Sequence, residues 1–294
     1  MMGNLLTYGL VALAAVFWGA NFNLSKPIIA EMHPLLAAAG RFVIAAALML
    51  LLALVRRQRV PLIRHGRAYG LLGLVGIGGF NLLFFFGMQT PSAVNGALIM
   101  ASNPLVTALL AWLLLGERPS AQQWAAFPLA LAGVAFVLLG GSSHLQVASG
   151  DWLMLGANLA WAGYNVLAKK LMPREVPGLT NTTGVMVAGA LVLSLAALVA
   201  GQVPALPGPK AGEALLLMAV AGSVLAYLFW NAGLVQLGAG RTAIFLNLVP
   251  VSSMAIAALG STPPTSVQLL GGAVVLGAVT LALLPGRQAL VLRA

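Results

Sequence analysis

The sequence predicts an all-α, polytopic membrane protein with ten transmembrane helices arranged as two inverted five-helix repeats. Three observations carry that prediction. First, the 294 residues are 61% hydrophobic and only 7% charged, whereas a soluble domain carries about 25% charged residues. Second, the apolar residues fall into ten runs near the ~20 residues a bilayer-spanning helix needs. Third, the first half of the chain matches the second when one is slid along the other.

The ten runs are 5–27, 34–55, 68–88, 92–115, 122–140, 151–170, 180–200, 213–236, 242–260 and 265–285. The first lacks the basic stretch of a secretory signal and nine apolar runs come after it, so it reads as a span. The breaks carry turn chemistry: "RRQRVPLIRHGR", "QTPS", "GERPS", "GSSHLQVASGD", "KKLMPREVPG", "GQVPALPGPKAGE", "LGAGR" and "GSTPPT". Glycine, proline and polar residues gather there, as at helix ends. With no cysteine, disulfides, thiol nucleophiles and cysteine metal sites are excluded.

Basic residues orient the bundle. With the N-terminus inside, Arg56, Arg57, Arg59, Arg64, Arg67, Arg118, Lys169, Lys170, Arg174, Arg241, Arg287 and Arg293 all fall on the cytoplasmic side. Lys26 and Lys210 fall outside, as does the 141–150 loop. The reading is a multi-pass protein of the cell (inner or plasma) membrane with both termini cytoplasmic. The net charge of +10 is then loop charge that sets topology rather than a nucleic-acid surface.

A shift of 143 residues places Trp18 on Trp161, Leu24 on Leu167, Lys26 on Lys169 and Pro34 on Pro177. Further along, a shift of 146 places Gly76 on Gly222, Gly87 on Gly233, Ala97 on Ala243, Pro104 on Pro250 and Gln122 on Gln268. This divides the chain into 1–145 and 146–294. Five spans per half is an odd number, so the halves enter the membrane in opposite directions. Inverted repeats of this kind place a substrate site at the repeat interface near the midplane.

"FWGANFNLSKP", "GRFVIAAALMLLLAL" and "NPLVTALLAWLLLGERPSAQQW" resemble the EamA-type, ten-helix branch of the drug/metabolite transporter superfamily. The likeness covers essentially the whole chain. It rests on Trp-Gly followed by Asn and Lys in span one, an Arg early in span two, and Pro then Leu-Gly-Glu-Arg around span four. The second half departs from it, with Pro263 standing where Glu117 stands in the first. Within the branch the chain is similar to amino-acid exporters, aromatic ones included. The resemblance implies export of small amphipathic metabolites by alternating access, with a small-molecule substrate, the bilayer as surroundings and no cofactor. Proton-coupled antiport of drugs or organic cations is the alternative. Oligomeric state is left open, and a monomer is compatible with everything in the sequence.

Polar residues inside a membrane usually face a bundle interior or a cavity. In span one, Trp18 and Asn21 are an i, i+3 pair on one helix face. Trp161 and Tyr164 repeat the spacing in span six, with Asn165 beside them. Span three offers Asn81 and Phe85, four apart, continued by Gln89; its counterpart offers Tyr227, Trp230, Asn231 and Gln236. Asn103 and Asn247 sit on spans four and nine. These residues suit the wall of a cavity for an amphipathic solute, and equally an interfacial aromatic belt with interhelical hydrogen bonds. Pro104 and Pro250 deprive the Met100 and Leu246 carbonyls of a helical donor, giving either gating bends or static kinks. Lys26 and Lys169 are read as snorkelling to the interface. Arg41, seven residues into span two, requires a partner, and Glu31 is the candidate for a structural pair.

Enzyme chemistry finds no support here. His33, His65 and His144 fall in loops, and there is no metal motif, phosphate loop or triad spacing. A channel is disfavoured by the absence of a charged pore ring. All five acidic residues, Glu31, Glu117, Asp151, Glu175 and Glu213, lie at span ends or in loops. The expected transport is therefore facilitated export without a proton relay.

Overall fold

A computed structural model describes residues 2–90, 93–139, 148–237, 242, 244–260 and 262–283. The described chain is helical: α1 (Met2–Glu31), α2 (Pro34–Val55), α3 (Gly66–Leu72), α4 (Phe80–Gly87), α5 (Ala93–Ala101), α6 (Asn103–Leu115), α7 (Ala121–Leu139), α8 (Ser149–Leu171), α9 (Gly178–Val199), α10 (Pro209–Ala219), α11 (Ala226–Gln236), α12 (Leu248–Leu259) and α13 (Ser266–Leu283). Two π-helical segments, Gly73–Gly79 and Val220–Leu225, join α3 to α4 and α10 to α11. A 3-10 turn, Ile244–Asn247, leads into α12.

Local chemistry explains several boundaries. His33 caps α2: its Nδ1 accepts from the Leu35 N–H at 3.3 Å, and Pro34 takes the first helical position, where no donor is needed. Gly116 ends α6 in the left-handed region, at φ 71°, which a glycine adopts without steric cost. α1 continues through Pro27 to Glu31, four residues beyond the predicted end.

Every predicted run contains helix, but fewer cross the membrane on length and apolarity. Among the described residues, five do: Leu5–Glu31, Pro34–Val55, Gly66–Gly87, Gly178–Val199 and Pro209–Gln236. The α5–α6 pair, bent by 40°, makes a sixth. Ala121–Val137, Phe245–Leu259 and Ser266–Ala282 are apolar but shorter. α8 is 23 residues long and is not among the five; Asp151, Asn158, Asn165, Lys169 and Lys170 lower its apolarity. Arg241, Arg287, Arg293, His144 and most of the 141–150 loop lie outside the described residues.

α1 packs on α10, α11 and α12, while α8 packs on α4, α5 and α6. The first helix of each half is thus seated in the other half. α2 pairs with α9 and α7 with α13. Lipid tails give helices no hydrophobic reason to associate, so close backbone approach must supply the contact. Gly19 shows how: a Cβ there would land on Ser252 Oγ and lie 2.5 Å from the Val249 carbonyl of α12. Outward, Leu54, Leu131, Leu191, Leu195 and Leu198 are 60–73% exposed, an apolar surface suited to lipid. This is a multi-pass membrane protein.

Candidate functional site

Where the two halves meet, the helices enclose a cavity of about 180 Å³. One water needs ~10–15 Å³ of such space, so there is room for several waters or for one small solute. α1 contributes Trp18, Asn21 and Phe22; α2 contributes Arg41 and Phe42; α4 contributes Phe80, Asn81 and Phe84. The α5–α6 break adds Met100, Ala101, Asn103 and Pro104, α8 adds Trp161 and Asn165, and α11 adds Tyr227 and Trp230. Leu246 and Val249 complete the wall.

The aromatic groups form one connected cluster. Trp18 lies 5.0 Å from Trp230 and 5.9 Å, edge-on, from Tyr227. Trp161 lies 6.2 Å from Tyr227 and 5.3 Å from Phe80. The other three tryptophans, Trp112, Trp124 and Trp152, are 37–64% exposed near helix ends, as belt residues are. Trp18, Trp161 and Trp230 are therefore cavity residues, and an interfacial belt does not account for them.

Arg41 is only 4% exposed. Its Nε donates to Ser223 Oγ (3.0 Å), Nη1 to Asn81 Oδ1 (3.1 Å) and Nη2 to the Gly222 carbonyl (3.4 Å). All three acceptors are neutral. Glu31, the expected partner, instead accepts from the Gly208 N–H at 2.7 Å. It sits at the far end of α1, so the expected pair does not form. The Gly222 carbonyl also accepts from Trp18 Nε1 at 3.2 Å. The π segment frees this carbonyl: the Ala226 N–H bonds Ala221, five residues back, instead of Gly222.

Gly222 has no Cβ because Asn21 occupies that space; a Cβ would land on Asn21 Oδ1. In the other π segment, a Cβ on Gly76 would land on the Tyr164 ring. Gly76 and Gly222 are equivalent under the 146 shift, and Asn21 and Tyr164 under the 143 shift. The same contact is therefore made twice. Asn21 is 6% exposed, and its Oδ1 has no hydrogen-bond partner among the described residues.

The α5–α6 break is sealed by an asparagine cluster. Asn158 Nδ2 donates to the Ile99 carbonyl at 2.9 Å and to Ser102 Oγ at 2.8 Å. Asn103 Nδ2 donates to Asn158 Oδ1 at 2.7 Å. Asn165 Nδ2 reaches Asn103 Oδ1 and Thr107 Oγ1, both at 3.3 Å. Span four bends by 40° at Ser102, beside Pro104. Pro104 and Pro250 each lie in the first turn of a helix, α6 or α12, where the missing N–H costs no helical bond.

Of the expected residues, Trp18, Asn21, Asn81, Asn103, Pro104, Trp161, Tyr227 and Trp230 meet at the cavity. Phe85, Tyr164 and Pro250 are not among its lining residues. α4 turns the 80, 81, 84 strip inward, so Phe85, one position on, is fully buried against its neighbours. Tyr164 lies over Gly76, and Pro250 is buried. Asn231 donates to Thr182 on α9, and Gln236 accepts from Thr7; both hold helices together. Sequence reasoning missed Asn158, Phe80 and Phe84. The 158, 161, 165 spacing, which marks one face of α8, was the available signal.

The lysines also find protein partners. Lys26 Nζ donates to the Met88 carbonyl at 2.7 Å. Lys169, exposed at the end of α8, pairs with Glu117, at 2.7 Å to Oε2.

The profile of the EamA-like transporter family matches residues 5–139 and, a second time, 148–284. The chain belongs to the EamA-like transporter family. Relatives of this EamA-family chain agree. The uncharacterized transporter YyaM of Bacillus subtilis (strain 168) is 37% identical over 288 residues, covering 95% of this chain and 94% of the relative. A probable amino-acid metabolite efflux pump of Salmonella typhimurium (strain LT2) is 31% identical, with 91% of each chain covered. A probable terminal-alkyne amino-acid exporter of Streptantibioticus cattleyicolor is 26% identical, covering 92% and 91%. One solved crystal structure superposes with a TM-score of 0.71 at 19% identity, over 94% of this chain and 95% of that one, a likeness of fold alone. The protein is a membrane transporter.

Proposed function

We propose that this transporter exports amino acids, aromatic ones included, by alternating access between inverted repeats 1–145 and 146–294. The observation that carries the reading is the aromatic and amide-lined cavity where the halves meet. Trp18, Asn21, Asn103, Trp161, Tyr227 and Trp230 contact substrate in this reading, and Asn81, which lines the cavity, holds Arg41. Two relatives named for amino-acid export or efflux support the substrate class. The twofold family match supports the repeat, as do the matching π segments.

One end of the cavity is held shut. Asn23 Nδ2 donates to the Ser253 carbonyl at 3.0 Å, Ser253 Oγ reaches the Ala93 carbonyl at 3.4 Å, and Lys26 binds Met88. In this reading both termini are cytoplasmic, which makes this the outer end and the arrangement an outward-closed one. None of the lining residues is acidic or a histidine, which favours facilitated export over proton antiport. The buried Arg41 cation disfavours organic cations as substrates.

Two measurements test this. Purified protein in proteoliposomes is expected to catalyse counter-flow of aromatic amino acids with no response to imposed pH or sodium gradients. Trp18→Ala should cut the rate at least about tenfold, because it removes a ring packed edge-on against Tyr227 and tilted against Trp230 and a bond to Gly222. Uphill accumulation abolished by an uncoupler overturns the facilitator reading. For topology, the cysteine-free chain allows single-cysteine labelling at Ile63 and Leu206, 100% and 99% exposed. In intact cells an impermeant maleimide should label Leu206→Cys and spare Ile63→Cys. The reverse pattern inverts the orientation.

A further inference from the structure

Two side chains with unspent polar groups, Arg41 and Asn21, converge around Gly222. Arg41 has five N–H donors, and three are committed, all to neutral oxygens. No carboxylate forms an ion pair with it among the described residues. A guanidinium this buried without a counter-charge is costly to keep. Asn21, also lining the cavity, presents a buried Oδ1 with no partner. Both touch the same residue: Arg41 donates to the Gly222 carbonyl, and the Asn21 amide fills the space beside the Gly222 Cα. Trp18 Nε1 is already spent on that carbonyl, so its ring offers apolar surface only. The cavity therefore has a cationic donor pair and a neutral acceptor at one corner, with aromatic walls leading away.

We propose that this corner is the head-group site for an α-amino acid. The Arg41 guanidinium binds the carboxylate, the Asn21 amide turns its buried Oδ1 away from Gly222 to accept from the ammonium, and the side chain lies against Trp18, Trp161 and Tyr227. The assignment rests on the amino-acid reading above and deepens it. Local charge decides the class. The guanidinium complements a carboxylate and the neutral amide oxygen can accept from an ammonium, whereas a free amine would meet Arg41 with like charge and no carboxylate to offset it. Asn81 and Ser223 are positioning residues, since they aim the guanidinium without touching the ligand.

Binding of three probes to purified protein in nanodiscs tests this: phenylalanine, phenethylamine and 3-phenylpropionate, monitored by tryptophan fluorescence. Phenylalanine should bind at least about tenfold tighter than either analogue, as expected for a charge-assisted bond lost with either end. Arg41→Gln should weaken phenylalanine and phenylpropionate about tenfold and leave phenethylamine within about twofold. Arg41→Lys should recover part of the carboxylate preference. Asn21→Leu, which removes no protein–protein bond of the orphaned Oδ1, should weaken phenylalanine and phenethylamine and spare phenylpropionate. If Arg41→Gln weakens all three probes equally, or if phenethylamine binds as tightly as phenylalanine, the head-group assignment is overturned. Counter-flow across the amino acids judges the export reading separately. Transport retained with probe affinities indifferent to Arg41 and Asn21 sinks the head-group site alone.

Discussion

Gly19→Leu should leave little folded protein. The new side chain starts on Ser252 Oγ and 2.5 Å from the Val249 carbonyl. The carbonyl is backbone in the first turn of α12 and has no rotamer through which to retreat. Overpacking a tight contact costs ~1–3 kcal/mol, and here it separates α1 from the half in which it is seated. Size-exclusion profile and thermal unfolding in detergent read the effect. Gly9→Ala, on the same helix with nothing within 4 Å of its added Cβ, is the control and should match the parent. Equal behaviour of the two variants would show that α1 does not depend on this approach.

Asn158→Leu should be the most damaging loss of a single polar group. It deletes the donor to the Ile99 carbonyl and Ser102 Oγ and the acceptor of Asn103 Nδ2. At ~0.6 kcal/mol per interhelical bond in a membrane, three such bonds amount to about 2 kcal/mol. The shape changes little, so packing is not the cause. Asn165→Leu, whose two bonds are both 3.3 Å, should cost visibly less. Unfolding midpoints of the two variants in one detergent decide the order, and equal midpoints would contradict the central place given to Asn158.

The helices were legible in the sequence because lipid imposes a plain rule: apolar runs of fixed length separated by turn residues. The predicted limits of span two, 34–55, coincide with those of α2. Trp18 and Trp161 were legible through the repeat. The partners of Arg41 were not, because Asn81 and Ser223 lie 40 and 182 positions away and are neutral, whereas a cation in a span calls for an acid. Pro104 was legible as a bend, since span four breaks by 40° at Ser102 beside it; that the proline itself opens the following helix was not. The π segments were invisible because their glycines, 76, 78 and 79, serve equally well for close packing.

Those π segments have a consequence for the phase of the helices that carry the cavity. A π turn closes its bonds over five residues instead of four, so each segment holds a residue in surplus. In a plain α-helix every residue added or removed turns the remainder of the rod by ~100°. The surplus residue in Val220–Leu225 is what brings Tyr227 and Trp230 round to the same side as the Gly222 carbonyl. Its counterpart in Gly73–Gly79 does the same for Phe80, Asn81 and Phe84. A chain shorter by one residue in either segment would keep its apolar surface, and would aim its aromatic groups at a neighbour.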